Sequence, residues 1–150
     1  MNLNGNTGLG EKMMINLHPS NFKFIEQEFK DIIRYTRETD QTGRTSNFSV
    51  LRKTYILIDN SKLYITEALN RGKIDYYYYD WVDGERKDIM KFHSEPHDSP
   101  AYQTATEPYH IHGEKGLNVF PKRYANYNFM DLFHVLEVIR MIFIHNKICK

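Results

Sequence analysis

Four of the chain's seven histidines fall within twenty residues, in the segments KFHSEPHD and TATEPYHIHGE. They are His93, His97, His110 and His112. Imidazole has a pKa near neutrality, so it can accept or donate a proton at physiological pH, and its neutral form binds divalent metal ions. If the segment is extended, His110 and His112 project to the same side, because they are two residues apart. The histidine-rich segment is therefore the candidate site of chemistry.

Cleavage of RNA without a metal ion is one reaction that such a cluster supports. It needs a base for the 2′-hydroxyl, an acid for the leaving oxygen and a cation for the charge on the phosphorane. Two histidines can share the proton transfers, and the nearby cations are Lys91, Lys115 and Arg123. The predicted catalytic residues are His93, His97, His110, His112 and Lys91, with Lys91 as the electrostatic helper.

A divalent metal centre is the other chemistry open to the cluster. His110 and His112, projecting together, offer two neutral imidazole ligands. A hydrolytic zinc ion needs a third protein ligand, for which His97, Glu107 and Glu114 are available. If a metal is bound, we predict a divalent ion such as zinc, held by His97, His110 and His112. If the chemistry is metal-free, no cofactor is expected.

The composition is that of an ordinary globular chain. At 150 residues the chain is large enough for one domain with its own core. The formal net charge of +1 gives no strong electrostatic argument for nucleic acid. Cys149 is the only cysteine, so no internal disulfide is expected, which fits a reducing compartment. The N-terminal segment has no signal-peptide pattern, and His134, Glu137 and Arg140 interrupt the C-terminal apolar run. We therefore predict a cytoplasmic protein without a membrane partner.

The patterns that flank the histidines indicate an α+β scaffold. Residues 1–17 are rich in Asn and Gly and are predicted to form a flexible arm. A single α+β domain is predicted over residues 18–150. From Ser20, apolar residues at helical spacing continue as far as Ile33, which predicts an N-terminal helix. A second, largely apolar helix is predicted near the C-terminus, over residues 129–145.

Between the two helices, four runs of β-branched and aromatic residues predict an antiparallel β-meander. The predicted strands cover residues 49–58, 62–69, 73–82 and 85–93. The turns between them are too short for a parallel crossover, so the four strands must be antiparallel. The histidine-bearing segment that follows is predicted to be a loop or a short strand.

The dipeptide Asp83-Gly84 predicts a two-residue hairpin turn of type I′. Such a turn places Asp80 opposite Lys87 and Tyr76 opposite Lys91. One face of the hairpin then carries Tyr76, Tyr78, Lys91 and His93. The other face is predicted to be the core face and carries Tyr77, Tyr79, Trp81, Met90 and Phe92.

The order of these features resembles the TumE family of bacterial toxin–antitoxin proteins, which are small α+β proteins. A Tyr-rich strand, a turn and a second strand lead to a Pro-His pair, then to P-x-H-x-H and an apolar helix. The matching residues are Pro96, His97, Pro108, His110 and His112. The resemblance spans about residues 50–142 and implies a toxin that is paired with a cognate antitoxin.

We therefore predict the toxin component of a bacterial toxin–antitoxin system, acting as a small ribonuclease on RNA through its histidine cluster. The predicted partner is an antitoxin that covers the aromatic face or the C-terminal helix. That helix is also the predicted surface for a homodimer. The alternative is a non-catalytic interaction protein, such as an antitoxin, an immunity protein or a phage-encoded inhibitor, whose histidines are structural.

Overall fold

One seven-stranded antiparallel sheet forms the body of the protein. The structure, a computed structural model, describes residues 15–113 and 122–148. The strands are β1 (Ile33–Arg37), β2 (Val50–Leu57), β3 (Lys62–Asn70), β4 (Lys73–Val82), β5 (Asp88–His93), β6 (His110–His112) and β7 (Arg123–Ala125). Their order in the sheet is their order in the chain. The predicted α+β class is confirmed, but the predicted four-stranded meander corresponds only to β2–β5, which are flanked by three further strands.

Two α-helices pack against one face of this sheet. They are α1 (Phe22–Glu28) and α2 (Leu132–Ile148). Phe29, just after α1, and Leu136 of α2 are fully buried in the cluster that contains Tyr77 and Tyr79 of β4. Because side chains alternate along a strand, the neighbours of these two tyrosines lie on the opposite face of the sheet. Both helices therefore cover the same face, and neither of them covers the other one.

The N-terminal helix is shorter than its apolar pattern predicts. It begins after Asn21, whose side-chain oxygen accepts a hydrogen bond of 3.1 Å from the backbone N–H of Phe24. It ends at Glu28, and Ile33 instead begins β1, opposite Leu57. The predicted extension to Ile33 is wrong because short apolar runs fit helix and strand equally well. Here Ile33, a β-branched residue, is stabilised by its pairing with β2.

The C-terminal helix begins three residues later than predicted, at Leu132. Asp131 caps it, because the carboxylate accepts a hydrogen bond of 2.9 Å from the backbone N–H of His134. Neither of the two α-helices is long and apolar enough to cross a lipid bilayer.

Most of the predicted N-terminal arm, residues 1–14, lies outside the described residues. The last part of that segment contacts the sheet. Ile15 is buried, and Leu17 forms an isolated antiparallel bridge with Ile74 of β4.

The predicted two-residue turn at Asp83-Gly84 is wrong. The backbone N–H of Asp83 donates to the carbonyl of Lys87 at 2.9 Å, which leaves a three-residue loop. Arg86 closes this loop at φ 67°, in the left-handed region. The Asp83 carboxylate also accepts hydrogen bonds from the backbone N–H groups of Glu85 at 2.9 Å and Lys87 at 2.8 Å. This side chain therefore favours the longer loop.

The longer loop, together with a β-bulge between Trp81 and Val82, changes the register of β4 and β5. Asp80 lies opposite Lys91, so the predicted pairs of Asp80 with Lys87 and of Tyr76 with Lys91 are wrong. The partner is displaced by four residues, an even number, so each side chain keeps its predicted face. The predicted core residues Tyr77, Tyr79, Trp81 and Phe92 are buried, and Met90 packs against them.

Asp83→Ala is expected to lower the stability of the protein by about 1 kcal/mol, because two backbone N–H groups in the turn lose their acceptor. Urea unfolding followed by circular dichroism measures this change. Glu85→Ala in the same loop is the matched control, since the Glu85 side chain is exposed and forms an exposed ion pair of 3.1 Å with Lys87. Equal unfolding midpoints for the two variants would show that the carboxylate does not hold the turn.

Candidate functional site

The histidines come together on the face of the sheet that neither helix covers, where β5 and β6 pair. His93 lies opposite His110, and Lys91 lies opposite His112. Partners in an antiparallel pair share a face, as do residues two apart on one strand. The ring centroids of His110 and His112 are 4.9 Å apart, and that of His93 is 4.9 Å from His112. His110 is fully buried and His112 is 8% exposed.

Glu95 completes this cluster and was not among the residues predicted from the sequence. One ligand atom from each of His93, Glu95, His110 and His112 lies within 4.8 Å of the others. We call these four residues the histidine–glutamate group. Glu95 Oε1 lies 3.6 Å from His93 Nδ1 and 3.7 Å from His110 Nε2. The sequence indicates Glu95 as a candidate through its position, two residues after His93 and between His93 and His97.

Hydrogen bonds fix the orientation of two of the three rings. His93 Nε2 donates to Oδ1 of Asp80 at 2.6 Å. His110 Nδ1 donates to the carbonyl of Pro108 at 3.0 Å. The other nitrogens, His93 Nδ1 and His110 Nε2, are buried and make no hydrogen bond to any residue in the described ranges. The same is true of Glu95 Oε2. Three buried polar atoms of the group thus lack a hydrogen-bond partner in the described part of the chain.

His97 lies beside the group without belonging to it. Its ring centroid is 4.8 Å from that of His110, and its Nε2 is buried without a hydrogen bond to the described residues. The backbone N–H of His97 donates to Glu107 at 3.4 Å, and the same carboxylate accepts from Thr104 at 3.0 Å. Glu107, a candidate ligand by sequence, therefore holds the loop. Glu114, the other candidate carboxylate, lies outside the described residues.

Two of the predicted cations flank the group. Arg123 lies opposite His112 on β7. Its Nε and Nη1 atoms are buried and bond to no described residue, while its guanidinium lies 4.9 Å from the ring centroid of Tyr102. Lys91 forms an ion pair of 3.1 Å with Asp88. Lys115, the third candidate cation, lies outside the described residues.

A polar cavity of about 270 Å³ adjoins the group on the same face. Its lining includes Gln41, Tyr64, Asp80, Arg86, Asp88 and Lys91. Asp80 links the cavity to the group, because the same carboxylate accepts the hydrogen bond from His93.

Burial and charge act differently on the members of the group. Burial lowers the pKa of His93, but the carboxylates of Asp80 and Glu95 outweigh it and raise the pKa above its ordinary value. Burial and the positive charges of His93, His110 and Arg123 lower the pKa of His112 to about 4. Burial raises the pKa of Glu95, but His110 and His93 lower it more, to far below its ordinary value. Glu95 is therefore ionised at neutral pH, and His112 is uncharged.

The fold and the site define a class of protein. It is a small α+β protein whose antiparallel sheet is covered by helices on one face and carries a histidine–carboxylate centre on the other. The family model described as Toxin TumE matches residues 21–143, and because the match covers most of the chain, the chain belongs to the TumE toxin family. No curated protein and no solved structure matches it significantly.

Membership of this family establishes the biological role at a coarse level. The chain is a toxin of a toxin–antitoxin system, and its partner is a cognate antitoxin. The predicted resemblance to the family is confirmed.

Proposed function

We propose that this toxin is a ribonuclease and that the phosphodiester of its RNA substrate binds over the histidine–glutamate group. The observation that carries the proposal is the convergence of three imidazoles and one carboxylate on the sheet face that neither helix covers. A structural role for these residues would pair their buried polar atoms with one another or with the backbone. Instead, His93 Nδ1, His110 Nε2 and Glu95 Oε2 have no such partner in the described ranges.

Arg123 is the residue that stabilises the charge on the phosphorane. Arg123 of β7 lies opposite His112 of β6. Two of its guanidinium nitrogens are buried without an acceptor among the described residues. A buried guanidinium without an acceptor is unfavourable, and a phosphate oxygen satisfies its hydrogen-bonding geometry. Lys91 adds a second positive charge on the same face, partly neutralised by Asp88.

Cleavage forms a bond between the 2′-oxygen and phosphorus and breaks the bond from phosphorus to the 5′-oxygen. The 2′-hydroxyl gives up its proton to Oε2 of Glu95, which accepts no hydrogen bond from the described residues, and the leaving 5′-oxygen receives a proton. His97 supplies that proton, because its Nε2 is not engaged by the described residues and its ring contacts His110. The products are a 2′,3′-cyclic phosphate and a 5′-hydroxyl.

The polar cavity beside the group is the place for a nucleobase. Asp80, Gln41 and Tyr64 offer hydrogen-bond donors and acceptors to the edge of a base. Tyr76 and Tyr78, half-buried on the same face, stack edge to face with centroids 5.5 Å apart. Aromatic rings next to a phosphate-binding centre suit an unpaired base, so the proposed substrate is single-stranded RNA.

Arg123→Ala is expected to slow cleavage of RNA by about 10²-fold, because removal of one positioned donor to the developing charge typically costs that much. The measurement is single-turnover cleavage of a labelled single-stranded oligoribonucleotide by the purified protein. Arg123→Lys is expected to retain part of the activity, and Lys122→Ala, which changes an exposed neighbouring cation, all of it.

Two results would contradict this function. One is equal cleavage by the Arg123→Ala and Lys122→Ala variants. The other is equal cleavage of the matching oligodeoxyribonucleotide, which has no 2′-hydroxyl to act as the nucleophile.

A further inference from the structure

We propose that the histidine–glutamate group binds one divalent first-row transition-metal ion, with zinc as the best match. The ligands are His93 Nδ1, His110 Nε2, one imidazole nitrogen of His112 and the carboxylate of Glu95. This set differs from the one predicted from the sequence, because His93 and Glu95 take the place of His97. Ion binding does not depend on RNA being the substrate.

The distances within the group suit an ion better than direct hydrogen bonds. Glu95 Oε1 is 3.6 Å from His93 Nδ1 and 3.7 Å from His110 Nε2. A hydrogen bond between nitrogen and oxygen spans about 2.7–3.2 Å, so both contacts are too long. Ligand atoms about 2.0–2.1 Å from a tetrahedral zinc ion lie roughly 3.3–3.5 Å from one another. The two separations from Glu95 Oε1 are close to that value, and all four ligand atoms lie within 4.8 Å of one another.

The outer hydrogen bonds set the histidines in the tautomers that a metal requires. Asp80 accepts from His93 Nε2, which leaves the lone pair of Nδ1 available. The Pro108 carbonyl accepts from His110 Nδ1, which leaves the lone pair of Nε2 available. A metal-bound histidine characteristically donates its second N–H to a carboxylate or a backbone carbonyl, and both arrangements occur here.

Burial provides a second, independent observation. His110 is fully buried, and its Nε2 bonds to no described residue. His93 Nδ1 and Glu95 Oε2 are likewise buried without a partner in the described ranges. All three atoms belong to the residues whose ligand atoms converge. A single cation at the centre of the group would satisfy His93, His110 and Glu95 together.

The ligand types select the kind of ion. Calcium and magnesium bind mainly through oxygen, whereas imidazole suits zinc and its neighbours in the first transition row. Three imidazoles and one carboxylate are all ligands that zinc accepts. With four protein ligands, a tetrahedral ion would have no open position for a phosphate oxygen, so its contribution would be to hold the group together beside Arg123, as in structural zinc sites.

Elemental analysis of the full chain, expressed in zinc-supplemented medium and purified without a histidine tag, tests the proposal. One zinc ion per chain is expected. Addition of a chelator is expected to lower the thermal midpoint, because the ion binds the folded state. Substitution by cobalt is expected to give the visible absorption of a tetrahedral centre.

The variants separate this ligand set from the one predicted by sequence. Glu95→Gln and His110→Ala are expected to lose stoichiometric zinc. Asp80→Asn is expected to bind zinc about 10–100-fold more weakly, because the outer hydrogen bond from His93 loses its charged acceptor. His97→Ala and His134→Ala are expected to retain it. His134 is an exposed histidine on α2 and controls for adventitious binding. Circular dichroism checks folding, and Asp80→Asn remains informative if the ligand variants do not fold.

The proposal would be overturned if the wild-type protein contained no zinc and its thermal midpoint changed neither on addition of zinc nor on addition of chelator. So would loss of zinc in His97→Ala together with its retention in Glu95→Gln. A protein that binds zinc but leaves RNA intact would overturn the ribonuclease function alone. A protein that binds no zinc but still cleaves RNA would overturn the metal site alone.

Discussion

Expression of the wild-type chain without its antitoxin is expected to arrest growth and to fragment cellular RNA, whereas the His97→Ala variant is expected to do neither. Loss of a positioned acid or base costs about 10²–10⁴-fold in rate, which is enough to abolish toxicity. His97 is only half-buried, and its ring nitrogen bonds to no described residue, so the thermal midpoint is expected to change little. Growth curves and electrophoresis of total RNA at matched expression measure the effect.

The histidine on α2 provides the matched control for this experiment. His134→Ala removes an exposed imidazole that pairs with Asp131 at 2.8 Å, at the start of α2 and outside the histidine-rich segment. It is expected to be as toxic as the wild type. Equal toxicity of His97→Ala would exclude His97 as the proton-transfer residue. A wild-type chain that is folded, abundant and harmless would instead favour the alternative of a non-catalytic interaction protein.

Phe92→Ala is expected to destabilise the protein by about 3–5 kcal/mol, because a buried aromatic side chain leaves a cavity when it is truncated. Phe92 is fully buried on the core face of β5, opposite Tyr79, and its ring centroid lies 6.3 Å from that of Phe129. Chemical unfolding of the purified variant measures the change.

The same substitution tests how the core positions the candidate site. Phe92 lies between Lys91 and His93 in sequence, but its side chain points to the opposite face. Phe92→Leu keeps most of the apolar volume and is expected to cost much less. A Phe92→Ala variant as stable as Phe92→Leu would show that β5 is not anchored by this side chain.

The central strands could be predicted from the sequence because local patterns determine them. In the run from Lys73 to Val82, successive side chains point to alternate faces of the sheet over ten residues. Strand β4 has the predicted bounds. The predicted register of β4 and β5 was wrong, but each side chain was assigned to the correct face, because the partner of Asp80 was displaced by an even number of residues. In contrast, β6 and β7 have three residues each, too few for a periodic pattern. Their pairing depends on contacts with neighbouring strands.

The candidate site could be predicted only in part for a related physical reason. His110 and His112 share a face whenever their segment is extended, so their proximity follows from spacing alone. The approach of Glu95 to both His93 and His110 depends on how the chain turns after β5. Arg123 joins the site through the pairing of β7 with β6. These arrangements depend on tertiary structure, which sequence spacing does not specify.

The order of strands in the sheet has a consequence for how the protein folds during synthesis. Each strand pairs with the one that precedes it in the chain, so pairing requires no distant segment. The residues of the histidine–glutamate group are therefore all synthesised before α2. The last helix completes the apolar core beneath them with residues such as Leu132, Leu136 and Ile139. A nascent chain can thus carry every residue of the centre before α2 has completed the core beneath it.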